Sequence, residues 1–179
     1  AMAELEIAYR EQFGVPDAVG MYLFWRDERK VVLDRDGILE LYDRAIREFE
    51  VPILSIEDGF SEEDHEGWKR VHQDQADRLL TVRDALVTTN DATIEDAADR
   101  GMVNSALIKA NQIGTLHETV LAMLVALGKG LTLVVSHRSK SPNDDMEAHI
   151  ALATNALGLK AGGGANTERL VKYHAVATQ

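Results

Sequence analysis

The sequence contains no cysteine and only 3 prolines among its 179 residues. Without cysteine, the chain can form neither disulfide bonds nor thiolate metal sites. The hydrophobic fraction of 45%, together with the scarcity of proline, excludes a disordered composition. No apolar run approaches the ~20 residues that a membrane-spanning helix needs. The composition therefore predicts a globular protein.

Basic residues are also scarce, because 19 lysines and arginines face 30 acidic residues, which gives a formal net charge of −11. This charge argues against nucleic acid or an anionic membrane as the main partner. It predicts a cytoplasmic protein in which any anionic substrate needs a local cationic pocket. The length predicts a single domain over residues 1–179, which is shorter than the ~250 residues of an ordinary eight-unit βα barrel.

What is present is a regular alternation of strand-like and helix-like segments. Each apolar strand-like run is followed by a segment with helical spacing of its apolar residues. Such alternation predicts an α/β fold of about six βα units, with a parallel sheet and crossover helices. The predicted strands lie within 18–25, 52–58, 78–84, 105–111, 131–139 and 159–163.

A polar or charged residue stands at the end of five of these strands. The five residues are Glu57, Asp84, Lys109, His137 and Lys160, and successive members are 23 to 28 residues apart. This spacing is close to one βα unit, and parallel barrels place their active sites at the carboxyl ends of the strands. We therefore expect these side chains around one rim. Any one of them has a simpler explanation, because every strand must reach the surface somewhere.

Four longer motifs follow one another along the chain: "PILSIEDGFSEEDHEGWKR", "ALIKANQIGTLHET", "VVSHRS" and "LKAGGGANTERLVKYH". In this order and at this spacing they resemble the later part of enolase (phosphopyruvate hydratase). The resemblance implies a partial TIM barrel like the enolase carboxyl-terminal domain. It also implies a hydro-lyase of glycolysis that interconverts 2-phosphoglycerate and phosphoenolpyruvate, a small phosphorylated carboxylate substrate, and Mg²⁺ as the cofactor.

The resemblance also implies roles for individual residues. Glu57 and Asp84 match carboxylates that bind magnesium, which prefers hard oxygen ligands. Lys109 matches the general base that removes the proton next to the substrate carboxylate. Its apolar flanks and positive neighbours would disfavour the ammonium form and so populate the basic amine. The simpler reading is a lysine that keeps its charged head in water.

The remaining matches concern the substrate. His137, Arg138 and Ser139 match contacts to the substrate and its phosphate, and Lys160 matches a second lysine that touches the substrate. We therefore expect His137 and Lys160 to join Lys109 in catalysis, and Arg138 and Ser139 to bind the substrate.

Several departures from the family pattern leave the activity of this chain open. Tyr22 stands where the family has a third metal-binding aspartate, Ala85 replaces a second aspartate, and Arg83 replaces a glycine. The acid glutamate and the mobile phosphate loops of the family belong to an amino-terminal part that has no counterpart here. The alternative hypothesis is a non-catalytic, enolase-derived scaffold or binding protein.

Association with another chain is a further expectation from the number of units. A six-unit sheet cannot close as an eight-unit barrel does, so it leaves two strand edges open. We expect a homo-oligomer, or association with the missing amino-terminal part.

Overall fold

The computed structural model describes residues 2–48, 52–84, 89–139 and 141–179. Ala85, one of the departures noted above, lies outside the described residues. The elements of the described part are α1 (Met2–Phe13), β1 (Met21–Leu23), β2 (Val32–Asp34), α2 (Arg35–Glu48), β3 (Ser55–Glu57), α3 (His65–Gln75), β4 (Leu80–Arg83), α4 (Asp91–Asp99), β5 (Ser105–Ile108), α5 (Ala110–Ile113), α6 (Leu116–Gly128), β6 (Thr132–Ser136), α7 (Met146–Ala153), β7 (Gly158–Lys160) and α8 (Thr167–Ala177).

Five strands form one sheet in the order β3-β4-β5-β6-β7, and the registers found for β3 with β4, β5 with β6 and β6 with β7 are all parallel. Sequential strands that are neighbours and parallel need a crossover, and a helix lies between each pair along the chain. The predicted α/β fold with alternating strands and helices is therefore confirmed.

The first predicted strand, within 18–25, pairs differently from the others. It forms β1, which pairs antiparallel with β2 in a separate two-stranded sheet, with Met21 opposite Asp34. The sequence analysis did not identify β2. Only the short stretch 24–31 separates the two strands, and a parallel crossover needs a dozen or more residues. This connection allows a hairpin and excludes a parallel βαβ unit.

The contacts divide the chain into two compact units, Ala1–Val82 and Arg83–Gln179. The assignment of the whole chain to one domain stays a prediction. In the first unit, the core is aromatic, and the ring of Phe60 packs edge-on against Tyr22, Tyr42 and Trp68. Gly67 makes this packing possible, because a Cβ at that position would lie 2.4 Å from the Phe60 ring.

In the second unit, the core is built around β5, whose four residues are all buried. A parallel strand covered on both faces is expected to read as a continuous apolar run, which explains "ALI" before Lys109. Helix α6 contributes small side chains to this core, including Ala122 and Ala126. Its opposite face exposes large apolar side chains at Leu116, Val120, Leu121, Leu124 and Leu127.

Within the described ranges, no helix has both the length and the apolar character needed to cross a membrane.

Candidate functional site

Three of the predicted site residues lie at the ends of neighbouring strands in the second unit. Lys109 directly follows β5, His137 directly follows β6, and Lys160 is the last residue of β7. Because these strands are parallel and adjacent, their carboxyl ends share one edge of the sheet. The backbone N–H of His137 donates to the carbonyl of Lys160 at 3.0 Å and joins the ends of β6 and β7. The three positions therefore lie at one edge of the sheet, and the convergence of their side chains on one site stays a prediction.

Lys109 forms an ion pair with Asp84, at the end of β4. The Lys109 ammonium donates to both carboxylate oxygens, at 2.7 and 2.5 Å, and the two side chains are 12% and 23% exposed. An ammonium group has no lone pair that could accept a proton. Lys109 can therefore act as a base only after its ammonium separates from Asp84 and loses a proton. The sequence motifs predict separate roles for the two residues, and the ion pair between them was not expected.

The backbone next to Lys109 is held by Thr89, which lies just after the segment 85–88. The Lys109 N–H donates to the Thr89 hydroxyl at 2.9 Å, and the Thr89 side chain is fully buried. Thr89 itself has a left-handed backbone with φ of +55°, which is unusual for a β-branched residue. The sequence analysis missed Thr89, because a threonine in a polar turn carries no distinctive pattern.

His137 is half-buried and lies against Arg169 at the start of α8. Both side chains lie close to Gly162, because a Cβ on Gly162 would lie 3.0 Å from His137 Nε2 and 3.0 Å from Arg169 Nε. Gly162 also has φ of +82°, which favours glycine. Among the described residues, His137 Nδ1 and Arg169 Nε are buried without a hydrogen-bond partner. The structure thus adds Arg169 to the surroundings of a predicted site residue.

The electrostatic surroundings of His137 are mostly cationic. Burial lowers the pKa of His137 below its usual value, and the positive charge of Arg169 lowers it further. Lys172 and Lys109 act in the same direction, whereas Glu147 opposes them. The neutral imidazole is therefore favoured. A cationic region of this kind fits the local pocket that the sequence analysis required for an anionic substrate.

The turn after Lys160 is fixed by one tyrosine of α8. The hydroxyl of Tyr173 donates to the Gly162 carbonyl at 2.8 Å and accepts from the Ala161 N–H at 3.0 Å. Two opposite backbone groups are thereby satisfied by one side chain. The glycine run that begins at Gly162 consequently starts from a defined backbone geometry.

Arg138 and Ser139 follow His137 and are exposed. The Arg138 guanidinium donates a long hydrogen bond of 3.4 Å to the carbonyl of Asn111 in α5. Both side chains can therefore be reached by an anion from solvent. Their role in binding phosphate stays a prediction.

In the first unit, Glu57 is the exposed last residue of β3. It lies opposite Val82 in the parallel register of β3 and β4, and the next N–H, of Asp58, donates to the Val82 carbonyl at 3.0 Å. Asp58 has a left-handed backbone with φ of +48°. Glu57 is thus a strand-end carboxylate, as the sequence predicts.

Tyr22, the residue at the position of the family aspartate, lies in the core of this unit. It is fully buried, and its hydroxyl donates to the carboxylate of Asp64 at 2.7 Å while accepting from the Ser61 N–H at 3.3 Å. Burial and this hydrogen bond raise the pKa of Tyr22. The other oxygen of Asp64 accepts from Arg35 at 2.5 Å and from the N–H of Gly67 at 3.0 Å. The position of the family aspartate is therefore part of a buried polar network.

A cleft of about 390 Å³ lies between α2 and α3 of the first unit. Its charged lining residues are Asp36, Glu40, Asp43, Arg70 and Asp74. None of the residues that line it is a predicted site residue. The cleft therefore adds nothing to the candidate site.

Comparison with known proteins agrees with the resemblance. Residues 20–178 match the family model described as the enolase C-terminal TIM barrel domain. A curated enolase of Ehrlichia chaffeensis (strain ATCC CRL-10679 / Arkansas) is 36% identical over 168 residues, which is 92% of this chain and 39% of that protein. The chain thus spans well under half the length of this relative. The family match shows that the chain belongs to the enolase family and corresponds to its C-terminal TIM barrel domain, and the parallel sheet and the strand-end motifs agree with this assignment.

Proposed function

We propose that the chain supplies the proton-abstracting side of an enolase-type site, in which 2-phosphoglycerate and phosphoenolpyruvate are interconverted. In the forward direction the substrate loses its α-proton and its β-hydroxyl as water, and a carbon–carbon double bond forms. The observation that carries the proposal is the placement of Lys109, His137 and Lys160 at the ends of three adjacent parallel strands. The family supports the reaction class, and the chain's own contribution to it is the proposal.

In this proposal Lys109 takes the α-proton. Its ammonium, which is now paired with Asp84, must first separate from that carboxylate and release a proton, so that the neutral amine can accept the α-proton. Lys160 and the cationic surroundings of His137 then favour the negative charge that develops on the substrate. Arg138 and Ser139 are exposed beside them and would hold the phosphate.

Magnesium fits the donor set of the chain in part. Glu57 is the last residue of β3 and Asp84 directly follows β4, and both offer the hard carboxylate oxygens that Mg²⁺ prefers. Tyr22 does not add a third ligand, because its hydroxyl is buried and donates to Asp64. We propose Glu57 and Asp84 as the residues that would hold the ion. When bound, magnesium would neutralise charge on the substrate carboxylate.

A dehydration assay with 2-phosphoglycerate and Mg²⁺ tests the catalytic proposal. We expect measurable phosphoenolpyruvate formation by the chain and a loss of at least a hundredfold in Lys109→Ala, since the base is removed. Lys129→Ala is the matched control, because Lys129 is an ion-paired lysine on the same unit, bonded to Asp99 at 2.8 Å. Equal rates in the chain and in Lys109→Ala, or no rate in either, would remove the proposal.

A second candidate function is that of a non-catalytic scaffold. The buried Tyr22–Asp64 hydrogen bond favours it, because it occupies the position of a family metal ligand. In that case the Lys109–Asp84 pair is a stable structural contact. Calorimetry with Mg²⁺ discriminates the two. Heat of binding that disappears in Asp84→Asn supports the enzyme, and its absence supports the scaffold.

We also propose that the chain associates with itself or with an amino-terminal enolase part. β3 and β7 end the strand order, and helix α6 exposes large apolar side chains. Light scattering at increasing concentration should show a mass above that of one chain. A monomer at high concentration that also fails to bind an enolase amino-terminal domain would contradict this.

A further inference from the structure

A buried lysine in α8 holds the segment that leads from the substrate-binding motif to α7. The side chain of Lys172 is 0% exposed. Its ammonium donates to the backbone carbonyls of Pro142 at 3.0 Å, Asp144 at 2.7 Å and Glu168 at 3.0 Å. An ammonium group has three donors, and here all three have carbonyl acceptors. Two of these acceptors belong to 141–145, the segment between Ser139 and α7 that the structure describes.

The charge of Lys172 is balanced by a buried carboxylate. Glu147, with a side chain 4% exposed, places Oε2 at 3.4 Å from the Lys172 ammonium. The other oxygen of Glu147 accepts from the hydroxyl of Ser141 at 3.0 Å. The buried pair therefore contacts 141–145 at two places. Glu147 binds Ser141, and Lys172 binds the carbonyls of Pro142 and Asp144.

Stability alone is a weak explanation for this arrangement. Lysine is rarely buried completely, and an apolar side chain of similar length is often equally good or better for stability than a buried ion pair. A leucine or methionine at position 172, however, could not bind carbonyl groups. The particular property of the ammonium is that it fixes main-chain atoms of 141–145, regardless of which side chains that segment carries.

We propose that Lys172 is a positioning residue for phosphate binding. It fixes 141–145, and through this segment it limits the positions that the exposed Arg138 and Ser139 can adopt at the end of β6. The inference rests on the proposed function, because it assumes that these two residues meet the phosphate. Lys172 itself is buried and does not touch the substrate.

The test uses the full chain, inorganic phosphate as the probe, and three variants. Lys172→Met removes the carbonyl contacts and leaves Glu147 unpaired. The double variant Lys172→Met/Glu147→Gln removes the contacts without leaving a buried unpaired charge, and it keeps the test usable if the single variant does not fold. Lys129→Met is the control, since Lys129 is also an ion-paired lysine of this unit but pairs with Glu95 and Asp99 of α4.

Two quantities are measured for each folded variant: amide hydrogen exchange in 141–145, and the dissociation constant for phosphate from an NMR titration. We expect both Lys172 variants to exchange at least tenfold faster in 141–145 and to bind phosphate at least tenfold more weakly. Lys129→Met should match the unmodified chain in both. A purely structural lysine would change stability and exchange without changing phosphate affinity beyond the control.

The inference is overturned if exchange in 141–145 is unchanged, or if it rises while the phosphate dissociation constant stays the same. An unmodified chain that does not bind phosphate also overturns it. Failure of the proposed catalysis is recognised separately, because it is measured as turnover and not as phosphate affinity. Lys109→Ala should lose turnover, while its phosphate affinity and its amide exchange in 141–145 should stay unchanged.

Discussion

The hydroxyl of Tyr22 should contribute more to stability than any comparable tyrosine hydroxyl in the first unit. It donates at 2.7 Å to the carboxylate of Asp64, which is fully buried. A hydrogen bond to a charged group contributes about 1.5–3 kcal/mol, against about 0.5–1.5 kcal/mol for a neutral pair. Replacing the hydroxyl by hydrogen also leaves the Ser61 N–H without this acceptor. We therefore expect Tyr22→Phe to lower the free energy of unfolding by about 2–3 kcal/mol.

The matched control is Tyr42→Phe. The Tyr42 hydroxyl also makes a short bond, 2.5 Å, but to the neutral carbonyl of Gly59. Its removal should lower the free energy of unfolding by about 1 kcal/mol. Both rings pack edge-on against Phe60, so both variants keep their aromatic packing. The difference between the two variants reports the charge on the acceptor together with the loss of the Ser61 N–H contact.

Urea unfolding followed by tryptophan fluorescence is the suitable assay. The chain has 2 tryptophans, at positions 25 and 68, and both belong to the first unit. With a slope of about 1–3 kcal/mol per molar urea, the loss in Tyr22→Phe should lower the midpoint by about 1 M. An equal or smaller loss in Tyr22→Phe than in Tyr42→Phe would refute the claim that a buried carboxylate depends on this hydroxyl.

Three further predictions concern backbone conformation and pH. Gly162→Ala should lower the free energy of unfolding by about 1–3 kcal/mol, because it places a Cβ against His137 at a residue with positive φ. Gly163→Ala is the control, because a Cβ there meets open space and should change the free energy of unfolding little. Thermal melts compare the two variants. Burial raises the pKa of Tyr42 to about 12 and also raises that of Tyr22, so their contribution to stability is complete below pH 10 and is lost as the pH rises above 10, by about pH 12 for Tyr42. Melting temperatures across this range should fall more steeply for the unmodified chain than for a Tyr22→Phe/Tyr42→Phe variant, and equal slopes would contradict the shift. The pKa of His137 is lowered, so its contribution to stability is present above pH 6.5 and is lost as the pH falls below 6.5. An NMR titration of the His137 ring should give a midpoint below 6.5. A midpoint above 6.5 would contradict burial beside Arg169.

The local pattern was sufficient for the alternation of strands and helices and for the strand-end positions. The buried run before Lys109 and the acids at Glu57 and Asp84 stand where the sequence places them. These features depend on neighbours within a few residues, such as apolar periodicity and the polar residue that ends a run. The pairing of β1 was not predictable in this way, because β2 is only three residues long and carries no strong pattern of its own.

The site residues show the same division. The motifs predict Lys109, His137 and Lys160 as site residues, whereas Arg169 and Lys172 were not singled out. Both lie on a helix with an ordinary amphipathic sequence, where an arginine or a lysine usually reaches solvent. Only the packing of α8 shows that Lys172 is completely buried and that Arg169 lies against Gly162.

The sequence alone determined the family, the alternation of strands and helices in the parallel sheet and the residues at the strand ends, because motifs and periodicity are written into consecutive positions. The tertiary structure decided which of these groups bind one another: Lys109 to Asp84, 25 residues apart, and Tyr22 to Asp64, 42 residues apart. A hydrogen bond or an ion pair depends on distances of a few ångströms between atoms. Over such separations in sequence, only the packing of strands and helices sets those distances.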